Sequence, residues 1–126
     1  ATISLVPDGG ASWFLARRLG YHRAFQLCVE TEAISAARCL EFGLANRVVP
    51  GAELLEHTLG WAAELAERAP LALAGTKHAM RQAMHLSWSD TVSAEAKQQN
   101  VCVASGDAQE GIAAFLEKRP PRFEGR

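Results

Sequence analysis

Apolar residues recur three, four and seven positions apart along most of this 126-residue chain, the spacing of one-sided helices. Glycines and prolines cut the pattern into pieces. Residues 2–6 are a short apolar run that tolerates strand geometry, and Pro7-Asp8-Gly9-Gly10 breaks it. A helix opened by Asp8 or a following glycine is predicted through about Leu19, with Gly20 as its stop. A second helix is predicted over Arg23 to Glu30, and a short one from Ser35 as N-cap to Phe42, ended by Gly43. Ala45 to Val49 reads as a second short extended piece, stopped by Pro50.

The second half reads as helix throughout. Over residues 52–68, Leu54, Trp61 and Leu65 share one face. Pro70 suits the first turn of the next helix, where its missing N–H has no partner to lose, and Leu73, Met80 and Met84 line one side of it. A further helix is expected after Ser89 with Val92, Ala96 and Val103 inward. The last begins at Asp107, with Asp107 and Glu110 at capping-box spacing and Ala108, Ile112 and Phe115 as its stripe. Pro120 and Pro121 forbid its continuation. The pattern predicts a mainly α-helical segment with two short strands. Its broad apolar faces suggest packing against something further, either other residues or another subunit.

Composition narrows the function classes. The length suits one domain of roughly 100–150 residues, and a net charge of −1 supplies no whole-chain basic field for nucleic acid. No apolar run approaches the roughly 20 residues that span a bilayer, and no signal-peptide pattern opens the chain. Neither nucleic acid nor membrane is therefore an expected partner. The three cysteines form no CxxC pair, which predicts reduced thiols in a cytoplasmic setting, with Cys28 and Cys39 as small buried hydrophobes. His22, His57, His78 and His85 form neither HExxH nor a Cys/His cluster, so no metal site is expected. Gly9-Gly10 belongs to neither GxGxxG nor a phosphate loop. Trp13, Trp61 and Trp88 read as core or interface, and Arg17, Arg18, Arg119, Arg122 and Arg126 as scattered surface charge. The chain opens at Ala1 without Met, which reads as a truncated or processed chain cut near a strand.

Four stretches stand out in order: Leu5–Gly20, beginning Leu5-Val6-Pro7-Asp8-Gly9-Gly10; Ile34-Ser35-Ala36 with Glu41–Val49; Pro70-Leu71-Ala72 with Lys77; and Asp107–Arg126, including Glu117-Lys118-Arg119-Pro120-Pro121-Arg122-Phe123. Together they resemble the C-terminal half of the crotonase superfamily, the enoyl-CoA hydratase/isomerase family. The resemblance covers essentially all of this chain and about half of the family's usual length. It implies an α/β crotonase-like spiral fold in the intact protein, of which residues 1–50 would be the end of the spiral core with connecting helices. Residues 51–126 would be a helical, trimerisation-type region.

The resemblance also implies chemistry: a hydratase/isomerase-type enzyme acting on an acyl-CoA thioester through an enolate held by backbone N–H donors. No separate cofactor is implied, coenzyme A being part of the substrate, and a homotrimer or homohexamer is the implied assembly. The glycine-rich segment that supplies the donors in the family has no match here, and the first catalytic carboxylate position is likewise absent. The second falls seven residues before Pro7, just ahead of Ala1.

Asp8 is the remaining acid. Hydratases usually have glycine at the matching position, whereas isomerase and dehalogenase branches have an aspartate acting as base or nucleophile. That tilts the reading toward isomerisation, with a carboxylate closed in by acyl chains shuttling a proton between carbons. The bland alternative is a plain N-cap, and both roles can hold together. The stretch Gly9-Gly10-Ala11-Ser12 departs from the family's frequent Ala-Gly-Gly-Thr. Phe115 and Lys118 match positions that reach a neighbouring subunit's CoA site, ring against adenine or pantetheine and ammonium against phosphate. Their bland alternative is a core ring and a solvated charge. The competing reading of the whole chain is a non-catalytic helical module that binds CoA or oligomerises.

Overall fold

A computed structural model describes residues 4–126. It contains seven α-helices among those residues: α1 (Ala11–Leu19), α2 (Tyr21–Glu30), α3 (Ala36–Glu41), α4 (Leu54–Ala66), α5 (Pro70–Ala83), α6 (Trp88–Val103) and α7 (Gly106–Glu117), with a 3-10 turn at Gly51–Glu53 ahead of α4. The chain forms two compact units, one up to Leu54 and one from Leu55 to Arg126.

In the first unit α1 packs on α2. Gly20 separates them with φ 75, and its N–H donates to Ala16 O, closing α1 while α2 starts at the next residue. Ala24 on α2 is the buried residue of the pair. Trp13 stands edge-on to Phe14 at 4.7 Å and carries Arg17 at 4.2 Å over its face, so this arginine is part of an aromatic contact and not merely scattered charge. α3 begins as expected: the Ser35 hydroxyl accepts from Arg38 N at 3.3 Å. Gly43, φ 67, lets the chain reverse so that Leu44 N and Ala45 N both donate to Cys39 O.

The two short strands are a correction. No strand occurs among the described residues; the 45–49 stretch is loop, and Ser4 to Pro7 is irregular. A strand needs a neighbour to receive its N–H and C=O groups, and β-tolerant side chains alone do not supply one. The 2–6 expectation lies partly outside the described residues.

The second unit is built on α5 against α6, with α7 packed on α6. Gly75 on α5 permits close approach: a Cβ there would stand 3.4 Å from the Gln98 side chain of α6. The Ser87 hydroxyl caps α6 by accepting from Asp90 N at 3.2 Å, two residues earlier than a start after Ser89 implies. The inward residues of α6 are Thr91, Ala94, Gln98 and Cys102, all half-buried, while Val92, Ala96 and Val103 are exposed. Cys28 and Cys39 are half-buried as well. Ala24 and Ala114 are the buried hydrophobic residues among those described, and no large side chain is fully enclosed.

Candidate active site

Asp8 belongs to the turn before α1. Its carbonyl accepts from Ala11 N at 2.9 Å, and Gly9 (φ 58) and Gly10 (φ 88) follow in the left-handed region that glycine enters without steric cost. The N-cap of α1 is Gly10, with no side-chain hydrogen bond to the helix. Asp8 therefore does not cap: the two left-handed glycines set it back from the first turn. Its carboxylate is exposed.

Phe115 and Lys118 both lie at the C-terminal end of α7. Lys118 is not helical. It adopts φ 55, ψ 39 after the last helical residue, its N–H donates to Phe115 O, and Arg119 N donates to Ala114 O at 3.0 Å. This pair of bonds is a Schellman closure, with Lys118 in the left-handed seat that glycine usually fills. Phe115 is 83% exposed, so it is not a core ring. Lys118 makes no ion pair among the described residues. Asp8 lies in the first unit and Phe115 and Lys118 in the second.

Around that closure lies a set of contacts the periodicity did not reveal. Both guanidinium ends of Arg119 donate to Glu110, at 2.6 and 2.9 Å, and its Nε donates to Glu117 at 2.6 Å. Glu110 also accepts Arg122 N at 2.8 Å. Those bonds, Arg119 foremost and then the Arg122 amide, hold the Glu110 carboxyl at about 2, against an ordinary 4.5. They raise Arg119 further above its usual range.

Asp107 is buried and accepts Glu124 N at 2.7 Å and Gly125 N at 2.9 Å. The helix cap is Ser105, whose hydroxyl accepts from Ala108 N at 3.1 Å. Asp107 and Glu110 thus do not form a capping box: both carboxylates are turned to the returning tail. Phe123 lies against Gly111, where a Cβ would stand 3.4 Å from the ring. The spacing of the two acids was visible in the sequence, but their partners, 9 to 18 residues ahead, were not.

An apolar groove of about 1020 Å³ runs between α5, α6 and α7, with Met80, Val92, Val103, Ile112, Phe115 and Leu116 on its walls. The expected stripe of Ala108, Ile112 and Phe115 faces this open groove, with Ala108 half-buried and Ile112 and Phe115 exposed. No group of three or more His, Cys, Asp or Glu residues suited to a metal occurs among the described residues.

The family model described as Enoyl-CoA hydratase/isomerase matches residues 1–126. The chain belongs to that family. It is 34% identical over 125 residues to the 2,3-dehydroadipyl-CoA hydratase of Escherichia coli K12, covering 99% of this chain and 49% of that protein. It is 29% identical over 124 residues to the trans-2-decenoyl-[acyl-carrier-protein] isomerase of Streptococcus mutans, covering 98% of this chain and 47% of the relative. The crystal structure of an enoyl-CoA hydratase from Polaromonas sp. JS666 matches with a TM-score of 0.92 and 38% identity, over 98% of this chain and 48% of that one. This family member thus has the helical portion of a crotonase-like fold and spans about half the length of the relatives it matches.

Proposed function

We propose that the protein is an acyl-CoA hydratase/isomerase-type enzyme in which Asp8 moves a proton on an acyl-CoA thioester. The carboxylate of Asp8 takes the proton from C2 of a 3-enoyl thioester, the electron pair passes to the thioester oxygen, and the proton returns at C4 as the double bond closes between C2 and C3. Backbone N–H donors outside the present residues would hold the enolate charge. The observation that carries this reading is the free carboxylate of Asp8: exposed, ahead of a helix, and not consumed as that helix's cap. At the end of α7, Phe115 and Lys118 would take the adenine or pantetheine and a phosphate of the CoA. Residues 1–50 would complete the spiral core and 51–126 the oligomerising region of a cytoplasmic homotrimer or homohexamer. Support for the assembly comes from the uncovered apolar side chains of α4 and α7.

Replacing Asp8 by Asn in the complete protein should cut isomerisation of a 3-enoyl-CoA by about 100-fold or more, with CoA affinity close to the parent's. Isomerisation at the parental rate would refute the role of Asp8. Hydration is the second reading, favoured by the Escherichia coli hydratase relative. It is distinguished by supplying a 2-enoyl-CoA and following loss of the conjugated double bond. An intact protein inert in both assays that still binds CoA would be the helical CoA-binding module.

A further inference from the structure

We infer that the Glu110–Arg119 ion pair is a positioning device for the CoA-contacting end of α7, which sets the direction in which Lys118 leaves the helix. The inference rests on the preceding reading that Lys118 and Phe115 meet CoA.

Lys118 occupies a left-handed seat, φ 55, that an L-residue enters at a cost. Nothing in its own side chain offsets that cost, because its ammonium is in no ion pair among the described residues. The next residue supplies the restraint. Arg119 is fixed on three sides, by both oxygens of Glu110 and one of Glu117. Glu110 and Glu117 stand seven residues apart on α7, two turns of one helix face, so the guanidinium is pulled back along the helix just after Lys118 turns out. A second anchor follows: Arg122 N donates to the same Glu110 carboxylate. The backbone on the far side of Lys118 is therefore tied at two points to one acid. The planar fork of Arg119 suits this task, since lysine cannot donate along two parallel directions to one carboxylate.

The arrangement divides the work between two adjacent cations. Arg119 spends its donors on the protein: Nε on Glu117, the two terminal nitrogens on Glu110, and one of these also on the Pro120 carbonyl. Lys118 keeps its three donors for a ligand. The sequence pattern left Arg119 as scattered surface charge, whereas these contacts assign it to holding its neighbour.

The test uses the complete protein and two substrates with the same acyl group, one on CoA and one on N-acetylcysteamine, which lacks the nucleotide and phosphates. The readout is the ratio of their KM values. Glu110→Gln should raise the ratio about tenfold, the loss expected when a charge-assisted contact is misdirected. Arg119→Lys, which keeps the charge and loses the fork, should raise it by a smaller factor and serves if the first variant folds poorly. In a Lys118→Ala background Glu110→Gln should add nothing, because the group being aimed is gone. An unchanged ratio in Glu110→Gln and Arg119→Lys, or equal losses on both substrates, overturns the positioning role. So does an undiminished Glu110→Gln effect without Lys118. If Lys118→Ala itself leaves the ratio unchanged, the CoA contact fails and the inference fails with it, a different result from the others.

Discussion

Lys118 carries a testable conflict between stability and binding. Glycine in its left-handed seat would remove the clash between Cβ and the following carbonyl, and Lys118→Gly should raise unfolding free energy by about 1 kcal/mol. The same change removes the ammonium, so CoA affinity should fall while thermal stability rises. Denaturation and CoA titration on one preparation check both, and a drop in stability would contradict the observed turn. Gly10 offers the reverse case. At φ 88 an Ala there is strained, and its Cβ would stand 3.6 Å from the Phe14 ring, ordinary contact. Gly10→Ala should therefore destabilise by about 1–2 kcal/mol through backbone strain alone, read as a lowered denaturation midpoint. What was legible at this scale was local. Ser35 as a cap needed only the next three residues, and it holds. Asp8 was legible as the acid ahead of α1, but its failure to cap depends on two consecutive left-handed glycines whose dihedrals composition does not give. Arg119 read as stray charge because its partner lies nine residues back, reached only through a reversal.

The tail that follows α7 has no regular structure, yet five side-chain-to-backbone and ion-pair bonds to Asp107 and Glu110 hold it. Removing the Asp107 carboxylate strips two amides of their acceptor. Asp107→Ala should cost about 1–3 kcal/mol and should speed hydrogen exchange at Glu124 and Gly125 before the rest of the unit. Glu110 links the clamp to pH. Its folded value is depressed, to about 2 from 4.5, so its contribution is complete above pH 4.5 and is lost as pH falls toward 2. The Arg122 amide resonance should shift in that window and hold steady above it, and high salt should weaken the exposed pair. The helices were readable to within a few residues because each carries its own periodicity and breakers, as in Pro70 opening α5 and Gly20 closing α1. The strands were not, since pairing is a property of two segments and no strand forms among the described residues.

The chain exposes 10039 Å², against about 6,600 Å² expected for a folded monomer of its mass. Trp88 and Phe115 are more than four-fifths exposed, and Ile112, Phe115 and Leu116 line an open groove. Prepared alone, the 126 residues should bind a hydrophobic dye such as ANS strongly and melt without a sharp transition, properties of a body whose apolar faces lack cover. A cooperative melt with no dye binding would show that this portion is self-sufficient. Broad apolar faces were apparent from spacing, and the family from four ordered motifs. Which side each helix buries was not, because periodicity gives a stripe and no information on what meets it: Val92 and Val103 are apolar at helical spacing, yet they line the open groove and stay exposed. The tail has a practical consequence. Arg126 O accepts from Asp107 N, and Gly125 rests against Pro70, so the last residue returns to where α7 starts. A fluorophore joined to Arg126 would ride at the opposite pole of this rod from Lys118, about 18 Å away along its axis, close enough to report energy transfer from a ligand docking there without obstructing it.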